Sequence, residues 1–170
     1  MTASNNNPTV FFNPTTSKYL VFYDGLTIET IITYKGSIAG KQRVVGLDTE
    51  WIPVEKTKKK VAILQLCIEN KCLIIQLFHM DNIPQSLRSF LMDSNFEFVG
   101  VGVMKDLMML KNDYGLEYNK GIDVSLLAKK KWPDQISFGA QKCLTKELVY
   151  LDMEKSKAVC AREWKSKELT

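Results

Sequence analysis

From residue 19 onward, short apolar runs alternate with polar breaks. Tyr19 to Tyr23 and Thr27 to Tyr34 are rich in β-branched and aromatic residues, and Asp24-Gly25 stands between them. An Asp-Gly pair between two such runs predicts a β-hairpin. Lys35 to Gln42 contains Gly36 and Gly40 and reads as a loop. Arg43 to Trp51 predicts a strand whose apolar start, Val44-Val45, suits a central strand covered on both faces. Val54 to Lys60 is a basic loop, and Val61 to Ile68 with Cys72 to Phe78 predict a second hairpin around Glu69-Asn70.

After this hairpin the apolar period changes from two to about 3.6. Pro84 suits the first turn of a helix, and Leu87, Phe90 and Leu91 follow at helical spacing. Phe96 to Val101 predicts another buried strand. It leads through Gly100 and Gly102 into a helix from Val103 to Tyr114, with Val103, Leu107, Leu110 and Tyr114 along one stripe. Ile122-Asp123 is a short extended piece, and Asp123 can cap a helix from Val124 to Lys131. Trp132-Pro133-Asp134 ends it. Leu144, Leu148 and Leu151 stripe a later helix that starts near Gly139, and residues from Glu154 to Thr170 are highly charged, with Val159, Cys160 and Trp164 as anchors. Strands first and helices later, with one strand-to-helix crossover, predict an α/β fold: a mixed sheet with helices packed on it.

At 170 residues the chain has room for about one domain with a real core. Apolar residues make up 45% and charged residues 25%, which excludes a disordered or fibrous chain. The net charge of +4 fits an anionic partner and equally a solvated basic surface. No run approaches the roughly 18 consecutive apolar residues of a membrane helix. Residues 1–17, rich in Asn, Thr, Ser and Pro, read as a disordered lead-in without the features of a secretory signal. Cys67, Cys72, Cys143 and Cys160 form neither a disulfide framework nor a zinc pattern and read as free thiols of a reducing compartment. His79, the sole histidine, reads as structural.

The candidate chemistry lies in two places. In Gly46-Leu47-Asp48-Thr49-Glu50-Trp51, Asp48 and Glu50 fall on one face of a strand, with Cα atoms roughly 6.8 Å apart. Two carboxylates there call for a positive charge between them, and a divalent metal is the natural one. A strand fraying into solvent would explain the same triplet. Leu47, Thr49 and Trp51 face the other side, and Trp51 reads as core. In Gly100-Val101-Gly102-Val103-Met104-Lys105-Asp106, Asp106 lies about 60° from the apolar stripe of the helix, at the margin of its buried face. A carboxylate in the first turn also suits the helix dipole. Together, the three acids form a cluster of the type that holds two metals in phosphodiester-cleaving enzymes. Lys56, Lys58, Lys59 and Lys60 follow the acidic strand and could track a phosphate backbone, or be a solvated turn.

Val45 to Trp51, Ala62-Ile63-Leu64-Gln65-Leu66-Cys67 and Gly100 through Asp106 to Leu110 together resemble the Werner-type 3′–5′ exonuclease domains, within the exonucleases that have an Asp-Glu-Asp-Asp metal site and a ribonuclease H-like fold. Phe78 to Leu91 is most similar to the plant members. The resemblance runs from about Tyr19 to Thr170, so residues 18–170 are expected as one exonuclease-like domain. It implies a hydrolase that cuts the terminal phosphodiester at a single-stranded 3′ end of DNA or RNA with Mg²⁺ or Mn²⁺. Asp48 would bridge two ions, Glu50 would hold the nucleophile-side ion, and Asp106 would support the other through a water. It further implies an intracellular protein of nucleus or cytoplasm.

Two departures qualify these expectations. The family completes its site with Tyr-x-x-x-Asp on a final helix, and here the chain stops first; no tyrosine is followed four residues later by aspartate, Tyr150 being followed by Glu154. Lys35 to Gln42 is also too short for the family's first covering helix. Weakened catalysis is expected, with exposed apolar surface that invites a protein partner or a second copy. The alternative function is a catalytically inactive relative that binds nucleic acid or a protein partner through the same groove.

Overall fold

A computed structural model describes residues 9–13, 15, 18–23, 26–33, 44–133, 164 and 166 of the chain. Three strands come first: β1 (Thr9–Asn13), β2 (Lys18–Tyr23) and β3 (Leu26–Thr33). Then come β4 (Val44–Pro53), β5 (Lys59–Ile68) and β6 (Lys71–Ile75), with a single 3-10 turn at Leu77–His79. The remaining elements are α1 (Gln85–Met92), β7 (Glu97–Gly100), α2 (Val103–Tyr114), β8 (Gly121–Asp123) and α3 (Val124–Lys131).

The strands form one eight-stranded sheet in the order β1-β2-β3-β6-β5-β4-β7-β8. β4, β5 and β6 are antiparallel neighbours, whereas β7 and β8 continue from β4 in parallel. This is the mixed sheet of a ribonuclease H-like fold, with β4 an interior strand between β5 and β7. β2 and β3 are the expected first hairpin, with Tyr23 opposite Leu26, and β3 adds to β6 in parallel.

Three expectations change. The segment 1–17 contains a strand, because Thr9-Val10-Phe11-Phe12 is a β-branched and aromatic run that pairs with β2 despite its polar flanks. The basic loop is shorter than Val54 to Lys60: Pro53 pairs with Lys59 and Ile52 with Lys60, so both lysines belong to β5. The strand from Cys72 stops at Ile75, and Leu77–His79 turns towards α1. The loop Lys35 to Gln42, the Asp24-Gly25 turn and the helix from near Gly139 lie outside the described residues, as does the charged end except Trp164 and Ser166.

Alternation along β4 sorts its side chains. Val45, Leu47 and Thr49 are buried, while Gly46, Asp48 and Glu50 between them are half-buried. On the first face, Val45, Leu47, Leu64 and Leu66 pack with Leu87 and Leu91 of α1 and Val103, Leu107 and Leu110 of α2. On the second, Ile52, Ala62 and Ile63 are buried in a cluster that includes Ile74 and Trp164. Gln76 Nε2 donates to the Ser166 carbonyl at 3.0 Å, next to that cover. The apolar surface expected to lie open on this face is therefore partly closed by the chain's own C-terminal residues.

Candidate active site

The site lies where β4 loses a neighbour. β7 pairs with β4 only from Val44 to Gly46, and among the described residues no strand pairs with β4 on that side beyond Gly46. Gly100, the last residue of β7, sits so close to β4 that a Cβ there would collide with the Leu47 carbonyl. Gly102 then takes a left-handed backbone, φ 74°, and becomes the N-cap of α2. These two glycines let the chain turn at the strand end and start a helix at once. The first turn of α2 then brings Asp106 against the open stretch of β4.

Asp106 is only 6% exposed. Thr49 Oγ1 donates to its Oδ1 at 2.5 Å, and Trp51 Nε1 donates to Thr49 Oγ1 at 2.6 Å. The Thr49 backbone N–H donates to Asp48 Oδ1 at 3.0 Å. Thr49 thus links the carboxyl of α2 to the strand that carries Asp48 and Glu50. Burial pushes the Asp106 carboxyl up to about 6; the Thr49 hydrogen bond and Lys105 pull it down, while Asp48 and Glu50 add to the rise. The three acids therefore feel one another, although Asp48 and Glu50 share the second face and Asp106 reaches in from the first.

Among the described residues no group of three or more His, Cys, Asp or Glu side chains converges closely enough to hold a metal ion. Asp48 and Glu50 are half-buried at alternate positions of β4, and Asp106 is held by Thr49. The expected lysines divide. Lys59 Nζ stands 5.8 Å from the centre of the Trp51 ring and Lys60 Nζ 4.7 Å from that of Tyr114, whereas Lys56 and Lys58 are exposed on the loop. Lys105 Nζ also lies over Trp51, at 4.3 Å.

Sequence reasoning did not find Thr49, Trp51 and Lys105 as site residues. Thr49 and Trp51 fall on the opposite side of the strand from the two acids, which reads as core; Trp51 does pack against the core, yet its indole N–H serves Asp106 through Thr49. The available signal was a hydroxyl at a strictly buried strand position, since a buried hydroxyl needs a partner.

Residues 27–169 match the 3′–5′ exonuclease domain family. The chain belongs to this family. A 3′–5′ exonuclease of Arabidopsis thaliana is 35% identical over 124 residues, 71% of this chain and 42% of that protein. Exonuclease 3′-5′ domain-containing protein 2 of Drosophila melanogaster is 32% identical over 128 residues, 75% of this chain and 21% of its own length. The chain thus spans less than half of these curated relatives. Among solved structures, NrnC of Brucella melitensis is similar with a TM-score of 0.64 at 17% identity, over 75% of this chain and 61% of that one. Structures of the same protein bound to pGG and with bound Mg²⁺ give 0.63 and 0.62. At that identity the likeness is one of fold.

In this exonuclease-family domain, Asp48 and Glu50 stand on β4, and Asp106 stands in the first turn of α2, hydrogen-bonded to Thr49 between them. Asp123 organises the same end of the sheet. It lies beside Gly100 in the β7–β8 register and caps α3 by accepting from Ser125 N at 2.9 Å and Ser125 Oγ at 2.5 Å. Burial raises its carboxyl, but hydrogen bonds from Ser125, Gly102 and Leu126 outweigh that and hold it below the usual range. Asp123 thus caps α3 right beside the end of β7, where the chain turns through Gly102 into α2.

Proposed function

We propose that the chain is a divalent-metal-dependent exonuclease that removes nucleotides from a single-stranded 3′ end of DNA or RNA. Asp48 and Glu50 would hold Mg²⁺ or Mn²⁺, and Asp106 would support the cation through a water. The observation that carries this reading is the match of residues 27–169 to the 3′–5′ exonuclease family, with Asp106 hydrogen-bonded to Thr49 between Asp48 and Glu50 on β4. The donor set fits such an ion in kind, because all three offer hard carboxylate oxygens. Cations of this kind, held by Asp48 and Glu50, would supply an ionised water near neutral pH and offset charge on the leaving 3′ oxygen.

The chain's own residues do the rest. β4, hydrogen-bonded to β5 along its length, fixes the spacing of Asp48 and Glu50. Thr49 fixes the Asp106 carboxyl. Lys56, Lys58, Lys59 and Lys60 would contact the phosphates of the incoming strand. Among the described residues no helix is long and apolar enough to cross a membrane. The proposed substrate fits a protein of the nucleus or cytoplasm. The structures of NrnC with pGG and with Mg²⁺ support this ligand chemistry by analogy of fold.

The test uses the full chain with 5′-labelled single-stranded RNA and DNA in Mg²⁺ or Mn²⁺. A ladder of 3′-shortened products is expected, abolished by EDTA and reduced at least about 100-fold by Asp48→Ala. A ladder that survives Asp48→Ala, or no ladder from folded protein, would overturn the reading.

A further inference from the structure

Cys67 and Cys72 stand directly opposite each other in the antiparallel register of β5 and β6. Their Sγ atoms are 2.7 Å apart, a thiol–thiol hydrogen-bond contact. Both are free thiols; Cys67 is exposed and Cys72 half-buried. Opposed Cα atoms in an antiparallel pair lie about 4.5 or 5.5 Å apart, depending on the site. Either spacing falls within the roughly 4.4–6.8 Å that a disulfide spans, so the backbone need not move to join them.

Two further features set this pair apart from ordinary core thiols. On the β4 side Cys67 pairs with Gly46, which has no side chain to cover it; a Cβ at Gly46 would stand 3.5 Å from that of Cys67. The turn between the cysteines is also under strain, because Glu69 takes φ 53°, a left-handed backbone unusual for a residue other than glycine. The pairing of Cys67 with Cys72 directly below that turn helps hold it.

We propose that Cys67 and Cys72 form a redox-active pair that closes to a disulfide by exchange with a small-molecule disulfide of the glutathione class. The Cys67 thiolate attacks one sulfur of the small disulfide, forming a mixed disulfide and expelling one thiolate, which takes up the proton lost by Cys67. The Cys72 thiolate then attacks the Cys67 sulfur and expels the second thiolate, which takes up the Cys72 proton. Two protein thiols are oxidised and one small disulfide is reduced to two thiols. The order follows from the environment. Cys67 is the exposed member of the pair and Cys72 the half-buried one, and the hydrogen bond between them holds the Cys67 thiol below its ordinary value against the opposing effects of burial and Asp48, while it and burial push Cys72 up. Cys67 is therefore the attacking sulfur and Cys72 the resolving one. None of this depends on nuclease activity.

The test treats the full chain with oxidised glutathione, blocks free thiols and maps tryptic peptides by mass. Lys71 lies between the cysteines, so trypsin separates them unless a disulfide joins them. The expected product is a joined Cys67–Cys72 peptide pair lighter by two hydrogen atoms and released by dithiothreitol. In Cys72→Ser the expected product is a stable glutathione adduct on Cys67. Free Cys67 and Cys72 after treatment, a lasting adduct on Cys67 of the unaltered chain, or linkage of either to Cys143 or Cys160 would overturn the proposal.

Discussion

At the scale of single residues, the most informative group is Asp106. Its carboxyl is costly to ionise in place because it is buried near Asp48 and Glu50, and its value rises from 3.8 to about 6. A folded-state value above the unfolded one favours the protonated form. The associated stability is fully present below about pH 4 and is lost as pH rises through about 6. The corresponding cost at neutral pH is up to about 3 kcal/mol without a cation. Asp106→Asn keeps an oxygen for Thr49 to donate to but removes the charge. In EDTA it should raise the melting temperature above pH 7 and leave it unchanged near pH 4. Thermal melts of both proteins across that range decide the point, and a constant difference at all pH values would refute the electrostatic cause. The acids themselves were legible in the sequence, because strand alternation and helix phase place them without knowledge of the fold. Thr49 was not, because its hydrogen bond spans 57 positions and depends on where α2 lands.

At the scale of elements, α2 must be held at both ends for Asp106 to stay in place. Its start is the turn through Gly102, beside Asp123. Its end grips β5 at Val61: Asp113 Oδ2 accepts from the Val61 N–H at 2.8 Å, and Tyr114 Oη donates to the Val61 carbonyl at 2.5 Å. Val61 adjoins an irregularity in the β4–β5 ladder, where Glu50 pairs with Ile63 and Trp51 with Val61, leaving Ala62 as the extra residue. Burial, with the Asp113 charge, pushes the Tyr114 phenol up to about 12, so it remains a donor at any ordinary pH. Tyr114→Phe should cost about 1–2 kcal/mol by leaving the carbonyl without this donor. Urea unfolding of the two proteins measures it, and an unchanged midpoint would show that the bond contributes nothing. The helical stripe of α2 and the hairpin at Glu69-Asn70 were readable from local pattern. The Val61 grip and the inclusion of Lys59 and Lys60 in β5 were not, since both follow from the register of β4 against β5, and one added residue in a strand changes it.

At the scale of the whole molecule, the sheet has two faces with different covers, and the site belongs partly to each. The first is closed by α1 and α2, which bring Asp106; the second carries Asp48 and Glu50 and is closed in part by Trp164 over Ile52, Ala62 and Ile63. This arrangement makes the C-terminal residues part of the support for the acidic strand, because Ile52 follows Glu50 on the same strand and Ile63 pairs with Glu50 across the ladder. Removing a fully buried large aromatic costs about 3–5 kcal/mol. Trp164 is half-buried, so Trp164→Ala should cost about 2 kcal/mol and expose Ile52 and Ile63. The exposed patch should then bind a hydrophobic dye that the unaltered chain does not. If Trp164 were only resting on the surface, neither the urea midpoint nor dye binding would change. Loss of exonuclease activity together with the stability loss would show that the second-face cover also sets the positions of Asp48 and Glu50, whereas full activity at temperatures where the variant is folded would show that β4 holds them unaided.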